Sequence, residues 1–111
     1  MADQTKLIRK SVEALREDGY LAERVEHFNY WTQRRHDLFR FADVIGVRPS
    51  PRDVLLVQVT HMDRRMDHVR KLQAEGNVGI CKAAGIRVEL WSWRKLKEGK
   101  AQRWAAKRDE L

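Results

Sequence analysis

The chain has 111 residues, 42% hydrophobic and 35% charged, enough for one packed domain and too few for two. That balance excludes a disordered chain, no apolar run approaches the roughly 20 residues of a membrane helix, and the opening MADQTKLIRK has no apolar signal core, so a cytoplasmic protein is expected. Its 23 Lys and Arg against 16 Asp and Glu leave a net +7, an excess that draws a small domain to polyanions, nucleic acid first.

The pattern predicts a first helix from Thr5 to Asp18, with Ile8, Val12 and Leu15 on one stripe and Gly19 as its stop. Tyr20 to Phe28 alternates as a strand, placing Leu21, Glu23 and Val25 on one face and Arg24, Glu26 and Phe28 on the other. NYWTQRRHD is polar and aromatic and reads as a loop or a hairpin tip. Leu38 to Val47 ends in an apolar strand, RPSPRD turns the chain, and Val54 to Thr60 has the near-continuous apolar run of a central strand. Asp63 to Ala84 is helical in pattern, with Gly76 and Gly79 allowing a kink or a division into two short helices. Ile86 to Trp93 alternates again. Residues 1–95 thus form the domain, and 96–111 a basic tail, as a short helix or a mobile arm.

Helix, three strands joined by tight turns, helix and strand make an α/β domain with one central mixed sheet flanked by helices. The crossover helix sets the last strand parallel to a neighbour. Cys81 cannot form an internal disulfide, and the histidines have no zinc-type spacing with it. Trp91 and Trp93 share a strand face, as core or interface residues do. Cations mixed with aromatics and amides, namely Arg34, Arg35, Arg64, Arg65, Lys71, Arg94 and Lys95, are candidate DNA contacts.

Asp43 is the only charged residue of FADVIGV, and Gln58 and Thr60 lie two apart in LLVQVT, on one strand face. If RPSPRD closes a hairpin, Asp43 meets this pair near the far ends of the strands. A carboxylate, an amide oxygen and a hydroxyl would converge there, a donor set that suits Mg²⁺ or Mn²⁺ with waters and a phosphate.

These stretches, with HMDRRMDHVRK and AGIRVELWSWRK, resemble the PD-(D/E)xK nuclease superfamily, in particular its small Holliday-junction-resolvase-like and VRR-type members from phages and bacteria. The likeness covers roughly Lys10 to Lys95. It implies a restriction-endonuclease-like core and divalent-metal-dependent cleavage of branched or structured DNA, often by a homodimer. By position, Asp43 matches the metal-binding aspartate and Gln58 the second metal position, while Thr60 stands where the family carries its catalytic lysine. Arg64, Arg65 or Lys71 could supply the absent cation. For the further acidic ligand, Glu26 comes first and Glu13 next, and Asp37 could bind metal or orient Asp43. The alternative is a catalytically degenerate DNA-binding or assembly module of the same fold. A small basic interaction protein is a third reading.

Overall fold

A computed structural model describes residues 2–25, 27–99 and 101–111. Helix α1 (Ala2–Glu17) buries Leu7, Ile8, Val12 and Leu15, the stripe read from the sequence. It ends in a Schellman pattern: the Gly19 N–H donates to the Arg16 carbonyl (3.1 Å) and the Tyr20 N–H to that of Leu15 (3.0 Å). Gly19 has φ +89°, which a side chain would disfavour.

Strand β1 (Leu21–Arg24) follows, shorter than the expected Tyr20–Phe28, and Ala22, not Leu21, faces the core: Leu21 is 73% exposed. The segment read as a loop or a hairpin tip is the tip of a hairpin, whose strands β2 (His27–Asn29) and β3 (Arg34–His36) form a separate two-stranded sheet. Its polar and aromatic residues pair with each other and not with the main sheet. Strands β4 (Val44–Pro49) and β5 (Arg52–His61) turn tightly at Ser50–Pro51, and Val44 faces Val57 in their antiparallel register. Gly46 gives Tyr20 room, since a Cβ there would stand 3.0 Å from the Tyr20 ring.

After a 3-10 turn at Met62–Arg64 come α2 (Arg65–Ala74) and α3 (Gly76–Ala83). They divide at Glu75, whose carboxylate caps α3 by accepting the Asn77 N–H (3.3 Å). Strand β6 (Arg87–Glu98) returns parallel to β5, as the crossover predicts. The segment expected as a tail or short helix is a ten-residue edge strand, β7 (Ala101–Glu110), antiparallel to β6. It belongs to the same sheet, whose order is β1-β4-β5-β6-β7.

Alternation along β5 builds two cores. Leu55, Val57 and Val59 face α1 together with Val44, Trp91 and Trp93, whereas Leu56 packs with Phe41, Leu72, Val78, Cys81, Val88 and Leu90 beneath α2 and α3. The buried Trp93 indole donates to Ser11 Oγ at 2.9 Å, so both β6 tryptophans are core residues. Gln58 and Thr60 share the Leu56 face, under the two short helices.

Candidate functional site

Beyond Val44↔Val57, strand β4 has no further partner to give β5. Asp43 finishes the ladder with one main-chain bond and one side-chain bond: its N–H donates to the Val57 carbonyl (2.9 Å), and its Oδ2 accepts the Val59 N–H (2.8 Å). The Asp43 carbonyl in turn accepts the Val25 N–H at 2.9 Å. Gln4, from the first turn of α1, donates its amide to the Val59 carbonyl at 2.7 Å. Two side chains therefore satisfy the main chain of Val59 where a strand would otherwise do so. Asp43 is 3% exposed and straddles the backbone of Gln58.

On the α2 side of the sheet lie polar atoms with no protein partner. Gln58 Oε1, Ser92 Oγ and His68 Nδ1 are buried without a hydrogen bond. Ser92 stands beside Thr60 in the β5–β6 register, and both are buried on the face covered by α2. His68 lies one turn before the buried Leu72, on the same side of α2. Its burial lowers the imidazole pKa, as do Lys71 and Arg64, with Asp67 opposing. Unpaired buried polar atoms are costly, and they are satisfied in most proteins by water, an ion or a ligand.

Asp43 bonds across the Gln58 backbone, and Thr60 follows two residues on along β5, on the same face as Gln58. Glu26 lies outside the described residues. Glu13 is exposed on α1, across the sheet from the Gln58 face. Asp37 is half-buried in the turn leading to Asp43, where its carbonyl accepts the Arg40 N–H (3.2 Å). Among the described residues, no three His, Cys, Asp or Glu side chains gather as a metal-holding group. Sequence reading passed over Gln4, Ser92 and the orientation of His68. The spacing of His68 and Leu72 was a usable signal for the last, whereas Gln4 acts across 55 residues and left none.

The candidate cations divide. Arg34, Arg64, Lys71, Arg94 and Lys95 are exposed, and the Arg35 side chain lies outside the described residues. Arg65 is committed: its guanidinium forks onto the Asp109 carboxylate at 2.6 and 2.8 Å, fastening α2 to β7. Arg94 and Lys95 line a groove of about 400 Å³ with His61, Met62, Trp93 and Trp104. The ammonium groups of Lys95 and Lys6 stand 5.3 and 5.4 Å from the Trp104 ring. No helix among the described residues is long and apolar enough to cross a membrane. Neither a family model nor a curated protein matches this chain.

Proposed function

We propose that this protein is a divalent-metal-dependent endonuclease of the PD-(D/E)xK kind acting on branched or structured DNA. One observation carries the reading: the Gln58 amide oxygen is buried without a partner, on the residue whose backbone the buried Asp43 brackets through its bonds to Val57 and Val59. A carboxylate and an amide oxygen are the hard donors that Mg²⁺ or Mn²⁺ takes, so the residues present fit such an ion.

Asp43 and Gln58 would hold the ion. Bound there, it would supply a more acidic water and offset charge developing on the phosphate. The Val59 N–H fixes one oxygen of Asp43, so the carboxylate's direction is set before any ligand arrives. Thr60 can hydrogen-bond a water but carries no charge, which leaves Arg64 and Lys71 as the nearby exposed cations for the substrate phosphates. The excess of basic residues suits a polyanionic substrate.

A specific observation favours the second reading, a DNA-binding module that has lost its chemistry. Thr60 is only 3% exposed and brings no cation, and one Asp43 oxygen is already used within the fold. The two readings separate in a cleavage assay on a labelled four-way junction, a flap and a linear duplex, with Mg²⁺ or Mn²⁺. The endonuclease gives metal-dependent products that Asp43→Asn lowers by about 100-fold or more, because Asn still accepts the Val59 N–H yet lacks the charge. Absence of product from every substrate, with salt-sensitive binding retained, leaves the binding module.

A further inference from the structure

The β2–β3 hairpin presents the most exposed aromatic side chains among the described residues: Trp31 is 96% exposed and Tyr30 80%. Two adjacent large aromatics this exposed form a contiguous apolar patch, the kind of surface that marks a contact site. The tip is nevertheless well built. Asn29 Oδ1 accepts the N–H groups of Trp31 (2.9 Å) and Thr32 (3.2 Å), and the Asn29 carbonyl accepts the Gln33 N–H (2.8 Å). The Gln33 side-chain amide donates to the Tyr30 carbonyl at 2.8 Å, and Thr32 Oγ1 lies 3.1 Å from His36 Nε2. Two aromatic rings are therefore displayed on a turn whose backbone is already ordered, which reduces the entropy lost on binding.

Place and charge indicate what the rings meet. The hairpin leaves the sheet after Val25 and returns through Leu38 and Ala42 into Asp43, so both its ends are anchored at the candidate site. HFNYWTQRRH contains no carboxylate, and the exposed Arg34 pairs with Asn29, the residue before Tyr30. Exposed aromatics and an exposed arginine on one hairpin, with no acid in its strands or tip, match nucleic acid: stacking for bases, a cation for phosphates.

We propose that Tyr30 and Trp31 form a prong that stacks on unpaired bases at the branch point of DNA whose backbone lies at Asp43. The prong is what distinguishes branched DNA from duplex, because paired and stacked bases offer it no free face. This inference rests on the reading of the protein as DNA-acting, and it is independent of whether the site cuts.

Binding to a forked DNA and to a duplex of equal length is measured in EDTA, so that cleavage does not enter. Wild type is compared with Trp31→Ala, Trp31→Phe and Arg34→Ala, after thermal melts establish that each variant folds. Trp31→Ala is expected to weaken fork binding by roughly 5- to 100-fold while duplex binding moves by less than about 2-fold, and Trp31→Phe to restore most of the loss. Arg34→Ala is expected to weaken both. Equal losses on fork and duplex with Trp31→Ala, or no loss on either, overturns the prong and leaves the DNA-acting reading standing. A wild-type dimer that Trp31→Ala dissociates in sedimentation assigns the tip to a second copy of the chain and overturns the proposal. No binding of wild type to any DNA overturns the DNA reading, and the prong with it.

Discussion

Asp43 holds a structural task and a candidate chemical one in the same carboxylate, and substitution can separate them. Alanine removes the acceptor of the buried Val59 N–H, which costs about 1–3 kcal/mol for an orphaned donor. Asparagine keeps an oxygen in the same place. The urea midpoint is therefore expected to fall for Asp43→Ala and to stay close to wild type for Asp43→Asn. A matching fall in both would mean that charge, not the hydrogen bond, secures the end of β4. Gln58 is the converse case, since its amide oxygen stabilises nothing in the protein. Gln58→Leu, of similar volume, is expected to leave the midpoint unchanged or raise it, and so to mark the residue as kept for binding and not for folding.

At the level of elements, what could be read from the sequence follows from how each is buried. Strand β5 was legible because both its faces are covered, so its apolar run is nearly unbroken and Gln58 and Thr60 stand out against it. The same contrast made Asp43 visible. Strand β7 was hidden for the opposite reason: it is an edge strand, and its charged residues are what such strands carry. Its apolar content, Trp104 and Ala106, lies against the α1 core, and its cations cover rings, with Arg108 3.9 Å over the Trp91 indole. The polar and aromatic run marked the hairpin's tip, but its separate two-stranded sheet was hidden because β2 and β3 are three residues each, too short for a period of two to show. The roles of Gln4 and of the Arg65–Asp109 tie depend on contacts between distant elements, which no local pattern encodes. A mobile tail would be dispensable, whereas β7 is not. Truncation after Glu98 is expected to uncover the β6 edge and Trp91 and to give aggregated or poorly folded protein. Soluble yield and far-UV circular dichroism check this, and a truncated chain that melts like wild type would contradict the strand.

Across the whole molecule, ionisable groups at three places fix the pH range in which it is most stable. Under α2, burial holds the His68 pKa below its ordinary value near 6.5, so the unfolded chain takes up a proton first as pH falls. Stability is complete above about pH 6.5 and drops below it. Along β7, hydrogen bonds from Arg65 and Arg87 hold Asp109 and Glu110 below the usual carboxylate range. Their contributions persist above about pH 4.5 and disappear as pH falls through the lowered values. Between α1 and β4, burial raises the Tyr20 phenol above 10.0, and its hydrogen bond to Asp53 adds to the effect. The neutral phenol is favoured in the fold, so this contribution is present below about pH 10 and is lost as pH rises through the higher value. The expected profile is a plateau from about pH 6.5 to 10 with a shoulder on the acid side and a second, steeper loss below about pH 4.5. His68→Gln is expected to remove the shoulder alone, and Arg65→Gln to soften the steeper loss without moving the shoulder. Urea midpoints measured from pH 3 to 11 test both, and a shoulder that survives in His68→Gln would assign that step to another group.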